Sequence, residues 1–387
     1  MNIRWIIAAA ALSLPWFACV GPDGHEEDSL TVAQQELRHH HHSGGSRGAG
    51  GTGTGGDGAG GAAGDGAGGA AGDGAGGAAG DGAGGAAGDG TGGSAGDGTG
   101  GAAGGGGGGF AGVCGSAAAP PAHYDHVVVF SFENRTWSDV GLGFSASTMP
   151  YLHALASQCS FFGDWTETET AQDSLTQYIG ATSGVNNSST VDDCSPSTSC
   201  RSTDNNIFRQ VRVAGGTARN YVEGVTAGCS ARGNADRHVP ALYYFGTYAD
   251  STGTHNDHDF CSTEVRPYSE FDVNNLPTYA FISPTLCNDG HDCGDDVVDA
   301  WASTNIKRVL DSAAYKAGKV AVFIWYDEDQ PVPNAQIAPT SHAGHITAAG
   351  VGTHAALLRT IEDMLALPLM NQGQLPGATN LRSMLGI

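Results

Sequence analysis

From about Gly44 to Gly109 the chain has nothing with which to build a core. GDGAGGAA units place Asp57, Asp65, Asp73, Asp81, Asp89 and Asp97 eight residues apart, and alanine is the largest apolar residue in the repeat. A calcium-binding β-roll needs a nonapeptide with a large apolar residue, so the segment reads as a flexible tether. As a glycine-rich coil of about 65 residues it spans roughly 45 Å root-mean-square. Folding is thereby confined to 118–387, a stretch of about 270 residues that can bury one large core.

The start of the chain reads as an export leader over 1–19. Met1 to Arg4 is a short basic start, Trp5 to Leu14 is apolar, and Pro15 ends the run, which is too short to span a bilayer. Cys19 follows Ala18 where a lipidated cysteine would stand, so a lipid anchor through Cys19 and plain secretion both remain open. Residues 20–117 are then a His/Gly-rich tether that includes the run His39 to His42.

The formal charge of −23, from 40 acidic and 17 basic residues, excludes nucleic acid as a partner, because phosphate backbones are met by basic surfaces. It also opposes electrostatic docking on anionic lipid. Beyond Cys19 there are eight cysteines, at 114, 159, 194, 200, 229, 261, 287 and 293. An even count in an exported chain predicts disulfides. Cys194–Cys200 and Cys287–Cys293 are the expected pairs, each closing a short polar loop; the rest of the connectivity is open.

Three runs have the composition of strands buried on both faces: His126–Phe132, Thr278–Ser283 and Lys319–Trp325. Helical spacing separates and follows them, with Val298, Trp301, Ala302, Asn305, Val309 and Leu310 on one face, and Leu357, Leu358, Ile361, Met364 and Leu365 on another. Alternating strands and helices predict an α/β domain with a largely parallel central sheet.

Ligands collect at the carboxyl ends of such strands, and here each strand runs into polar residues. The first leads to Glu133-Asn134-Arg135, the second to Cys287-Asn-Asp-Gly-His-Asp-Cys293, and the third to Asp327-Glu328-Asp329. A helix is expected from Ser174 to a stop at Gly184, placing Ser174 where free N–H groups and the helix dipole favour an anion.

The segments FSFENRTWSDV, DSLTQYIGATSG, RHVP, YAFISPTLCNDGHD, VAVFIWYDED and THAALLRTIEDMLALP resemble, in this order, the bacterial phosphoesterase family. That family includes acid phosphatases and phospholipase C-type enzymes, within the alkaline-phosphatase-like superfamily. The resemblance runs from about His123 to the C-terminus. It implies a three-layer α/β/α fold and a divalent metal ion held by Glu133, Asn134, Asp327 and Glu328. It also implies Ser174 as the nucleophile that forms a phosphoseryl intermediate. His291 and Asp292 resemble residues that contact phosphate or move a proton; His238 and His354 are further catalytic candidates, with loop packing for His238 and a packing role at a helix start for His354 equally open.

Two positions depart from the pattern: Gln177 and Val239 stand where the family has asparagine. Neither removes a proposed ligand or the nucleophile. His342 and His345 read as solvated loop residues, and His255-Asn-Asp-His-Asp259 as a hydrated acidic loop. The expected substrate is a small phosphomonoester or a phospholipid headgroup. A sulfatase is disfavoured because no Cys-x-Pro-x-Arg stretch surrounds Ser174. The non-enzymatic alternative is a tethered surface binding module.

Overall fold

The run from His126 to Phe132 offers no polar face to water, and it forms the interior strand β1 (His126–Phe132), buried at six of seven positions. The computed structural model describes residues 110–387 apart from 111, 143–146, 168–172, 186–188, 227–228, 230–235, 343, 347–351 and 371–377. The leader, Cys19, the histidine run and the repeats lie outside the described residues. The other strands are β2 (Ser160–Phe162), β3 (Ala218–Val222), β4 (Thr247–Asp250), β5 (Gly253–Asn256), β6 (Val265–Pro267), β7 (Tyr279–Ser283), β8 (Val320–Tyr326), β9 (Ala335–Ile337) and β10 (Gly344–Ile346). The helices are α1 (Pro150–Gln158), α2 (Ser174–Ser183), α3 (Ile207–Val213), α4 (Cys261–Glu264), α5 (Asp295–Leu310), α6 (Ala313–Lys316), α7 (His354–Met364) and α8 (Arg382–Leu385).

Eight strands form one sheet in the order β10-β2-β9-β8-β1-β7-β3-β6, while β4 and β5 make a separate hairpin. Every neighbouring pair in the large sheet is parallel except the two that involve β9. The expected largely parallel sheet is present, with β9 alone reversed.

Residue parity along β1 assigns the layers. Trp301 of α5 meets the rings of Phe130 and Phe132 at 6.1 and 6.0 Å. Tyr178 of α2 meets Phe281 and Trp325 at 5.7 and 4.8 Å, and these stand in register with Val129 and Ser131 of β1. Side chains alternate between the faces of a sheet, so α5 and α2 cover opposite faces. α1 packs with α5 and α7 with α2, which completes a three-layer α/β/α domain.

Helix α2 carries the functional argument. Asp173 caps it, accepting from Thr176 N at 2.9 Å, and Gly184 ends it at φ 68°, a conformation that favours glycine. All ten of its residues are buried. It is an interior helix, so its first turn is held in place from every side.

Four disulfides staple the domain. Cys194–Cys200 and Cys287–Cys293 pair as expected, and the open connectivity resolves to Cys114–Cys159 and Cys229–Cys261. The first of these resolved pairs joins residues 45 apart, a loop whose closure removes about 4 kcal/mol of chain entropy from the unfolded state. It also secures residues upstream of Ala118. Phe110 packs on Tyr151 at 5.2 Å, and Val113 O accepts from Tyr315 Oη at 2.7 Å. Packed structure therefore begins inside the stretch that composition alone assigns to the tether.

The acidic segment around Asp257 also differs from its expectation. β4 and β5 form a hairpin there, and Asp257 is buried between Arg209 and Arg212 rather than hydrated. Among the described residues no helix is long and apolar enough to cross a membrane.

Candidate active site

Phe132 and Tyr326 are partners in the β1–β8 register. The residues that follow them, Glu133 and Asp327, therefore leave the sheet side by side, and both are fully buried. On the other flank of β1, β7 leads into the Cys287–Cys293 loop, whose Asp289 is likewise fully buried. Glu133 N donates to Asp289 O at 2.9 Å. Gly290 permits this approach, since a Cβ there would meet the Glu133 carbonyl oxygen at 3.2 Å and its φ is 107°. The loop is clamped from both sides. Glu223 accepts from Thr285 N and Asn288 Nδ2 at 3.0 and 2.8 Å, and Arg135 donates to Gly290 O, Cys293 O and Asp295.

Helix α2 brings Ser174 to this cluster. Its Oγ donates to Glu133 Oε2 at 3.1 Å, and Tyr178, one turn later, donates its hydroxyl to Glu133 Oε1. The Cys194–Cys200 loop reaches the same helix end, where Leu175 N donates to Asp193 Oδ1 at 3.0 Å. Asn134 sits at φ 52°, a left-handed conformation that asparagine tolerates, and its N donates to Asp327 Oδ1 at 3.4 Å.

Packing carboxyl groups this closely is unfavourable without a cation. Burial, reinforced by Asp327 and Asp289, pushes the Glu133 carboxyl well above its usual range. Burial pushes Asp327 and Asp289 each up to about 7, and burial with Asp327 beside it pushes Glu328 up to about 9. Among the described residues, no hydrogen-bond donor reaches the buried oxygens Asp327 Oδ2 and Glu328 Oε2. Clustered carboxylate oxygens lacking donors are what a divalent cation satisfies, so the residues present fit a metal ion. Glu133, His238 and Asp289 also bring one ligand atom each to within 4.8 Å of one another.

A carboxyl whose folded pKa is raised weakens the fold as pH climbs from its unfolded value towards the folded one. With chelator present, the melting temperature is therefore expected to fall by several degrees as pH rises from about 4 through 7 and on towards 9. Saturating divalent metal should flatten that decline, since the cation replaces the protons. A melting curve in chelator that is level across this range would show that the carboxyl cluster is not crowded.

The histidines divide into two kinds. His238 is fully buried, with Nδ1 3.1 Å from Asp289 Oδ2 and Nε2 3.3 Å from Glu133 Oε2. An ionised Asp289 keeps the proton on Nδ1, so Nε2 offers a lone pair to the cluster. Burial, then the charges of Arg237 and His291, hold its pKa well below 6.5. His291 lies beside it, ring centroids 5.8 Å apart. Arg237 donates to His291 Nε2 at 2.8 Å, which places the ring proton on Nδ1, donated to Asp292 Oδ1 at 2.8 Å. Asp292 is exposed, so this pair stands at the mouth.

His354 lies behind the site. Indole N–H groups only donate, and those of Trp165 and Trp325 both reach its Nδ1, at 3.1 and 2.9 Å. Nε2 therefore carries the proton and donates to the backbone oxygen of Asp327 at 2.7 Å. Burial lowers its pKa to about 4, and both nitrogens are committed to holding the end of β8. His354→Phe should cost about 3–5 kcal/mol, because two buried indole donors and a carbonyl lose their partner; a denaturant midpoint reads this directly. Of the remaining histidines, His342 is exposed, its N donating to Leu385 O, and the side chain of His345 lies outside the described residues.

The structure thus gathers Glu133, Ser174, Asp327 and His238, sets Asn134 and Glu328 against them, and places His291 and Asp292 at the rim. Sequence reasoning did not single out Asp289 or Tyr178. Asp289 was legible only as the acid before Gly290, and Tyr178 had the spacing of a core residue.

A serine on a buried carboxylate thus stands at a helix N-terminus, beside the carboxyl ends of a largely parallel sheet. The sequence model of the phosphoesterase family matches residues 130–357, and the chain belongs to that family. It is an ester hydrolase by membership. A search of curated proteins found no match. Among solved structures, the chain is similar to a protein of the alkaline phosphatase superfamily from Vibrio parahaemolyticus, at 13% identity, 63% of this chain and 66% of that chain, with a TM-score of 0.42. It is also similar to a chain assigned as a sulfatase from Bacteroides thetaiotaomicron, at 11% identity, 68% of this chain and 75% of that chain, with a TM-score of 0.45. A third is the lipoteichoic acid synthase LtaP of Listeria monocytogenes, at 10% identity, 67% of this chain and 76% of that chain, with a TM-score of 0.38.

Proposed function

We propose that this chain is an exported, metal-dependent phosphoric ester hydrolase in which Ser174 is the nucleophile. The observation that carries the reading is the hydrogen bond from Ser174 Oγ to the buried Glu133 carboxylate, inside a cluster with donor-free oxygens on Asp327 and Glu328. Glu133, Asn134, Asp327 and Glu328 are the residues that would hold a divalent cation, with His238 Nε2 facing the same cluster. Such a cation lowers the pKa of a hydroxyl and offsets charge on a phosphoryl group.

The chain's own residues supply the rest. Ser174 passes its proton to Glu133 Oε2 as Oγ bonds to phosphorus and the ester P–O bond breaks, giving phosphoserine and an alcohol. Leu175 N and Thr176 N are held by Asp193 and Asp173, so what the start of α2 offers the charge developing on the phosphoryl oxygens is the positive end of its dipole. The proton taken up by Glu133 balances the one the leaving oxygen needs. His291, held by Arg237 and Asp292, lines the rim, and water then releases phosphate from Ser174. His354 acts by holding Asp327 in place.

The substrate class follows from size and charge. The strongly acidic chain opposes docking on anionic lipid, which favours a small soluble phosphomonoester over a phospholipid headgroup. The disulfides suit an oxidising compartment outside the cytoplasm, and the domain, packed from about Phe110 onward, would be displayed there on the tether, with or without lipid at Cys19. The test compares a chromogenic phosphomonoester, a choline phosphodiester and an aryl sulfate, each with and without chelator. Metal-dependent turnover of the monoester above the others is expected. Preference for the diester moves the reading to a headgroup hydrolase, preference for the sulfate overturns it, and binding of phosphate without turnover leaves a tethered binding module.

A further inference from the structure

Tyr178 touches Glu133, His238 and the sheet at once. Its hydroxyl donates to Glu133 Oε1, its ring stacks on His238 at 5.2 Å and 10°, and its edge meets Trp325 at 4.8 Å. It is also one helical turn from Ser174, on a helix with no exposed residue. Glu133 has two oxygens, and the division of labour between them depends on this contact. Oε2 accepts from Ser174 and faces His238 Nε2 at 3.3 Å, whereas Oε1 is taken by the phenol.

We infer that Tyr178 is a positioning residue that commits one oxygen of Glu133 and leaves the other for the cation and the serine. A carboxylate beside a helix can rotate about its last bond, and two equivalent oxygens compete for the same donors. A phenol on a fully buried ring removes that freedom, because the ring cannot turn without losing its stack on His238. The same ring sets the plane of the imidazole, whose far nitrogen is tied to Asp289. Nucleophile, carboxylate and imidazole are thus referred to one rigid side chain. Groups that orient metal-binding carboxylates in this way tune affinity as well as rate.

The inference rests on the proposed metal-dependent reading, so its test is built to separate the two. Tyr178→Phe keeps the ring and its stack and removes only the hydroxyl. Calorimetric titration of the full chain with Mn²⁺ alone and with Zn²⁺ alone should show affinity weakened about tenfold or more. kcat on a phosphomonoester should fall by about ten- to a hundredfold while KM moves by less than about threefold. Phe281→Leu, which trims a neighbour of the same ring, serves as the control. It should lower the melting temperature while leaving both affinities as in the parent chain. Unchanged affinity and kcat in Tyr178→Phe overturn the inference, as does an equal loss of affinity in Phe281→Leu, which would make the role one of packing. If the parent chain itself binds neither ion, the metal-dependent reading has failed instead.

Discussion

Ser174→Ala is expected to reduce turnover of a phosphomonoester by at least about 10³- to 10⁴-fold, the usual cost of deleting a nucleophile that acts with an activating partner. The loss should fall on kcat, because the phosphoryl oxygens keep the helix dipole and the cation. Stability should change little. Ser174 is buried, but it contributes one hydroxyl to a carboxylate that retains the Tyr178 donor. A drop in activity matched by a large drop in melting temperature would mean that Ser174 merely anchors α2 to Glu133. Ser174→Cys keeps a nucleophile in place, and weak residual turnover there with none in the alanine variant would separate attack from packing.

The second large effect has two signs. Asp327→Asn keeps the acceptor for Asn134 N and removes one charge from the crowded cluster. Activity and metal affinity should both fall by at least about a hundredfold, since a ligand oxygen loses its charge. The metal-free protein should become more stable above neutral pH, by on the order of 1–3 kcal/mol, because Asp327 no longer has to be ionised in a buried site. Chelator would then destabilise the parent chain more than the variant. A variant less stable than the parent at pH 8 in chelator would contradict the claim that the cluster stores electrostatic strain for a cation. Opposed effects on stability and activity are the usual mark of a functional site.

How much of this was legible in the sequence depended on the length of each signal. β1, β7 and β8 were readable because each is a run of five to seven buried residues, and α5 and α7 because their apolar spacing persists over three turns or more. β2, β9 and β10 have three residues each, too few for any periodicity, so the reversal of β9 could not be foreseen. The pairing of Glu133 with Asp327 was foreseeable once both strands were placed together, since each acid follows its strand directly. His354 was readable as a helix-start residue, but its partners were not. What decides its place is a pair of indoles 189 and 29 residues away in sequence, a contact that no local pattern encodes. Tyr178 was hidden differently: its ring has the spacing of a core residue, and only the carboxylate at its hydroxyl distinguishes it from one. The folded part begins earlier than composition suggests because Cys114 and Phe110 are tied to α1 and its end, whereas their neighbours in sequence resemble the tether.

Covalent transfer of a phosphoryl group to Ser174 under metal control is the step on which the proposed reaction turns. The most direct measurement is acid quenching of the full chain during turnover of a phosphomonoester, followed by peptide mass spectrometry. Phosphate on Ser174, present with divalent metal and absent with chelator, is the predicted result. Turnover that continues undiminished in Ser174→Ala, with no phosphate found on that serine in the parent chain, would contradict it.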